Sequence, residues 1–142
     1  MGKRPEQTKT QAENQKTMRE ETNPIEWPGE SGQFCNQEQA SARIVENESQ
    51  WRDLWYILQN QRVEPKIDFN KYFVAAVFLG SRPTGGYSIQ FLEPKSEKDK
   101  TIVQYRVKAP GNGSFVIQAL TQPYAIRLIP KPNTKIELRE VP

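Results

Sequence analysis

Cys35 is the only thiol in this chain, and no histidine occurs among its 142 residues. Without an imidazole there is no Ser-His-Asp triad, no Cys-His dyad and no histidine-ligated zinc or haem. A single cysteine forms no internal disulfide and cannot build a thiolate metal site alone. Cys35 lies in a polar stretch with no cation beside it, so nothing in the sequence depresses its pKa, and it reads as a spectator thiol. Asp53 and Asp68 are carboxylates of the type that act in pairs, but no spacing brings them to the separation that glycoside chemistry requires. The glycines of Gly80-Ser81-Arg82-Pro83-Thr84-Gly85-Gly86-Tyr87 imitate a phosphate loop. However, Gly86 and Tyr87 stand where such a loop needs Lys and Ser/Thr, and a strand pattern follows instead of a helix. No catalytic group, metal or cofactor is expected. The residue types point to a binding module, not an enzyme.

Composition narrows the class further. Apolar residues make up 35% of the chain, and mean hydropathy is −0.81, so part of it stays outside any core. The 20 basic and 17 acidic residues are interspersed, which gives a mildly basic surface and no cationic stripe. Arg106, Lys108, Arg127, Lys131 and Lys135 lie near aromatics, but Glu137 and Glu140 dilute them, so no nucleic-acid partner is expected. No apolar run approaches the roughly 20 residues that span a bilayer. The basic start Met1-Gly2-Lys3-Arg4 has no apolar stretch behind it and is not a signal peptide.

The elements that must position any binding residues begin after a polar tail. Residues 1–24 contain only Met1, Ala12 and Met18 as apolar side chains and read as a disordered tether. The β-rich domain is expected over 25–142. Gly29-Glu30-Ser31-Gly32 reads as a turn, followed by a strand at 42–46. Asn47 and Gln50 stand in capping-box positions, and Trp51, Leu54, Trp55 and Leu58 share one face of a helix at about 48–60. The unbroken run Tyr72–Leu79 predicts a central strand covered on both faces. Tyr87-Ile89-Phe91, Val103-Tyr105-Val107 and Tyr124-Ile126-Leu128 alternate with polar residues, which predicts antiparallel strands with one wet face. A last strand at 135–139, among Pro130, Pro132 and Pro142, reads as an edge. The fold class is therefore α+β: a mainly antiparallel β sheet or sandwich with one packed amphipathic helix.

Three loops join these strands. In the first, at 80–87, Pro83 presets φ, Gly85 or Gly86 takes a positive φ, and Arg82 and Tyr87 are its functional side chains. The second, Ala109-Pro110-Gly111-Asn112-Gly113-Ser114, leads to a strand-like Phe115-Val116-Ile117. The third is Thr121-Gln122-Pro123-Tyr124, where Pro123 is open to either isomer. Candidate partner-binding residues are Arg82, Thr84, Gly85, Gly86, Tyr87, Pro110, Gly111, Gln122, Pro123 and Tyr124. Rigid Gly/Pro loops on a sheet scaffold present their groups at low entropic cost.

These loops also carry a resemblance. Trp51-x-x-Leu54-Trp55, Asp68-Phe69, Leu79-Gly80-x-Arg82-Pro83-Thr84-Gly85-Gly86-Tyr87, Pro110-Gly111, Gln118-Ala119-Leu120-Thr121-Gln122-Pro123-Tyr124 and Ile129-Pro130-Lys131 together resemble the PrcB C-terminal domain family. The likeness runs in order over roughly residues 40–132, and Gly-x-Arg-x-Thr-Gly-Gly-Tyr is its most specific part. That family is named for a subunit of a spirochaete surface protease complex. The resemblance implies an extracytoplasmic, lipoprotein-like interaction domain whose partner is another protein, a protease or an envelope complex subunit, with no catalytic activity. Ala125 stands where many members of that family carry histidine after Pro-Tyr, so any role of that histidine is absent here. A partial likeness to chagasin-type cysteine-protease inhibitors rests on the order of Arg82–Tyr87, Pro110–Gly113 and Gln122–Tyr124. A helix ahead of the central strand is foreign to that inhibitor pattern. A third possibility is a structural subunit bound through its edge at 135–140.

Overall fold

A strand that is apolar at every position needs cover on both faces, and Tyr72–Phe78 has it. The computed structural model describes residues 27–58 and 62–142, so the expected tail at 1–24 lies outside the described residues. In chain order the elements are β1 (Gly29–Gly32), β2 (Ser41–Val45), α1 (Glu48–Ile57), β3 (Tyr72–Phe78), β4 (Ser88–Phe91), β5 (Lys95–Glu97), β6 (Lys100–Lys108), β7 (Tyr124–Pro130) and β8 (Lys135–Glu140). The first sheet has the order β1-β7-β3-β2 and is antiparallel throughout. In the second sheet β6 has β4 and β5 along one side and β8 along the other. Val74, Ala76 and Phe78 of β3 pack with α1, while Phe73, Ala75 and Val77 pack with the second sheet. Helix, sheet and sheet thus form three layers around β3, which agrees with the α+β class.

The helix starts where its cap places it. Asn47 accepts the Gln50 N–H at 2.9 Å, and the Gln50 side chain accepts the Glu46 N–H at 2.8 Å. It ends at Ile57 with Leu58 as its cap, short of the expected residue 60, and residues 59–61 lie outside the described residues. Trp51 and Trp55 stack with Trp27 at centroid distances of 5.2–6.4 Å. Their indole N–H groups donate to Pro65 O and Arg62 O, which clamps the returning chain over the helix.

Three expectations need correction. Gly29–Gly32 is a strand, not a turn: Gly29, at φ +137, lets the chain approach the β7 backbone so closely that a Cβ there would meet Ile126 O. Residues 115–117 form no strand: they pair with no strand, and Ile117 O instead accepts the Gly85 N–H of the first loop. β8, the expected last edge strand, runs parallel to β6, since the chain crosses to the first sheet as β7 before it returns. The expected wet face of β7 is covered too, with Ala125 and Ile129 buried against the second sheet. β5 went unread because Lys95-Ser96-Glu97 has no apolar alternation. A two-residue turn with Lys98 at φ +52 pairs it with β6.

Candidate functional site

Each of the three loops is short of backbone partners by itself, and each finds them in the others. The first begins as β3 ends: Ser81 N–H donates to Glu38 O, and Arg82 and Thr121 exchange both backbone hydrogen bonds at 2.8 and 2.9 Å. Thr121, fully buried, donates its hydroxyl to Thr84 O at 2.8 Å, and Gly85 N–H donates to Ile117 O. Gly86 supplies the positive φ, at +90, while Gly85 does not. A Cβ on Gly86 would lie 2.6 Å from Val116 Cγ1 and 2.9 Å from Pro110 Cβ, so the first and second loops touch where only glycine fits. The segment ahead of β2 closes the assembly: Gln33 donates its side-chain N–H to Tyr87 O, and its own carbonyl accepts Gln122 N–H. All three loops therefore lie at one pole.

Within that pole the candidates divide. Arg82 is held with its guanidinium 5.2 Å from the Tyr87 ring centroid. Gly86 and Gly111 are exposed, and Arg82, Thr84, Tyr87, Pro110 and Gln122 are half-buried. Gly85 is buried. Pro123 and Tyr124 do not reach the surface. Pro123 is fully buried, with no cis peptide bond among the described residues, and Tyr124 packs in the helix-side core beside Phe78. As the first inward residue of β7, Tyr124 is committed to the fold. Its hydroxyl lies 3.4 Å from a Glu30 carboxylate oxygen, and burial with that carboxylate pushes its pKa up.

Sequence reasoning missed the side chains most available for contact. Phe34, Phe115, Ile117 and Leu120, all on these interlocked segments, are 56%, 104%, 55% and 62% exposed. A signal for them was present: Ala109–Ile126 is 18 residues long without one charge. Phe115–Leu120 donates no backbone N–H to any described residue, so its main chain is open as well.

Cys35 is half-buried, donates toward Gln122 O at 3.5 Å, and has its thiol pKa pushed up by burial, which disfavours the thiolate. Among the described residues no three His, Cys, Asp or Glu side chains group as metal ligands. No helix of the described residues is long and apolar enough to cross a membrane. What remains is a fixed guanidinium, open main-chain groups and exposed apolar side chains.

Residues 73–129 match the family model described as PrcB C-terminal. This stretch holds all three loops and the strands from β3 to β7, but neither α1 nor β8, so it is narrower than the resemblance at 40–132. No curated protein and no solved structure matches the chain.

Proposed function

We propose that this chain is a non-enzymatic protein–protein interaction module of a bacterial envelope or surface protease complex, and that the loop pole holds its partner. One observation carries the reading. Four large apolar side chains stand exposed on a rigidly laced pole, three of them on the uncharged segment Ala109–Ile126, as apolar surface does where proteins associate. The lacing limits the ordering entropy lost on binding, because Gly86, Thr121 and the Arg82–Thr121 bridge already hold the loops together. The family-model match over residues 73–129 supports a protease-complex-related setting, and an extracytoplasmic address is part of the proposal.

The test is a co-purification from native cells with the full chain as bait, comparing wild type with Phe115→Ser/Ile117→Ser. A stoichiometric partner lost on the double change, with near-ultraviolet circular dichroism unaltered, supports the reading. Recovery of the same proteins by both baits overturns it. Loss on deletion of residues 134–142, with the double variant unaffected, would instead assign the contact to the β8 edge. That edge is a weaker candidate, because Glu137 and Arg139 of β8 are already engaged in ion pairs. A chagasin-like role predicts inhibition of a papain-like protease at micromolar protein.

A further inference from the structure

Beside the loop pole, the two sheets part to leave a cleft of about 270 Å³. Val77, Leu79 and Val107 are among its apolar lining, and Ser41, Arg82 and Glu140 also line it. Two of these lining residues each carry an orphaned polar atom. Arg82 Nε and Ser41 Oγ are both buried, and neither has a hydrogen-bond partner. Buried donors without acceptors cost stability, and native folds rarely leave them so without a reason. No carboxylate among the described residues lies within ion-pair distance of Arg82. Stacking on Tyr87 nonetheless restrains the orientation of its fork.

We infer that this cleft binds a carboxylate carried on a small apolar body, with Arg82 and Ser41 as its donors. A guanidinium and a hydroxyl both ask for an acceptor, and a planar carboxylate suits the guanidinium fork. One arginine balances one negative charge, and the Glu140 carboxylate at the rim disfavours more highly charged anions such as phosphate. Val77, Leu79 and Val107 would cover an aliphatic group. Two sources share this chemistry: a free short-chain acid, and the C-terminus of a polypeptide that ends in an apolar residue. The assignment does not rest on the apolar contact proposed for the loop pole, since Phe34, Phe115, Ile117 and Leu120 do not line the cleft.

The experiment is a titration of the full 15N-labelled chain at pH 7, following the Ser41 and Leu79 amides and the Arg82 Nε–H. The probes are hexanoate, the peptide Gly-Ala-Leu with a free carboxylate, and the same peptide as its C-terminal amide. Saturable shifts with either acid, and at least tenfold weaker binding of the amide, support the site. Tighter binding of hexanoate assigns the free acid, and tighter binding of the peptide assigns a chain terminus. Arg82→Lys should weaken binding tenfold or more, because a lysine cannot reproduce the fork, and Glu140→Gln should tighten it severalfold. Ser41→Ala leaves the loop lacing untouched and should weaken binding about threefold, which keeps the test open if Arg82→Lys disturbs the loop. No saturable shift with either acid, equal binding of the amide, or wild-type affinity in both Arg82→Lys and Ser41→Ala would overturn the assignment. Phe115→Ser/Ile117→Ser should leave this titration unchanged, so its failure is distinguishable from failure of the partner reading.

Discussion

The outer face of the second sheet and the loop pole handle exposed surface in opposite ways. On the outer face, Ile102 lies opposite Lys95 of β5 and Glu137 of β8, and it is fully buried although it points away from the sandwich. Around it Lys100 and Arg139 both bond Glu137, at 2.8 and 2.7 Å, Arg139 reaches Glu97 at 3.5 Å, and Lys95 reaches Glu97 at 3.8 Å. The aliphatic stems of these side chains can cover the isoleucine while their heads stay wet. At the loop pole no charged side chain between residues 109 and 126 does the same for Phe115, Ile117 or Leu120. A chain that roofs one isoleucine so thoroughly, and leaves three large apolar groups bare on a single segment, distinguishes a closed surface from one that awaits cover. The lesson is that exposure alone is a weak signal, whereas exposure without a charged roof is a strong one.

The comparison can be broken at its strongest point first. Ile102→Ala removes a fully buried side chain and should destabilise the fold by about 2–5 kcal/mol, read by denaturant unfolding. A cost near zero would mean that the ionic roof covers nothing of value. Gly86→Ala comes next. The new Cβ meets Val116 and Pro110 at a positive φ, so a loss of about 1–3 kcal/mol is expected. Amide shifts in that variant should be confined to residues near 82–87 and 110–121, and shifts spread through both sheets would show that the pole is not a separate unit.

Acid should act on the roof and not on the pole. Bonds from Lys100 and Arg139 hold the Glu137 carboxyl below its ordinary value of 4.5. A group whose pKa falls on folding contributes its full stability above the unfolded value, and that contribution is lost as pH drops through the folded one. Thermal stability should therefore decline below about pH 4.5 in wild type, and the decline should be shallower in Glu137→Gln. Equal slopes in the two proteins would remove Glu137 from the account. The smallest effect on stability belongs to Phe115→Ser, expected to change it by about 0.5 kcal/mol or less, as surface positions do. A larger loss would place Phe115 inside the fold and weaken its claim as a contact residue.

Much of the fold was legible because periodicity is a local property of the chain. Trp51, Leu54, Trp55 and Leu58 mark the helix whatever it packs against, and Asn47 marks its start. The run at 72–78 declares a strand with two covered faces, and β3 has both. The site was legible in part. Glycine and proline located the loops, and the apposition of Gly86 with Pro110 and Val116 gives the glycine-rich motif a physical reason. Pro123 and Tyr124 misled, because a Pro-Tyr pair after a polar loop looks identical whether the tyrosine turns inward or outward.

The order of residues thus settled which segments are helix or strand, where the chain turns, and that histidine chemistry is absent, since each follows from side chains a few positions apart. Pairing was another matter. That Gly29–Gly32 joins β7 and that β8 lies parallel to β6 both depend on which edges other strands have already taken. Arg82 and Ser41, each with an orphaned polar atom, line one cleft only because residues 41 positions apart in the chain meet across the end of two sheets. Competition for hydrogen-bonding edges and for interior space is settled between distant segments at once, and no local pattern records its outcome.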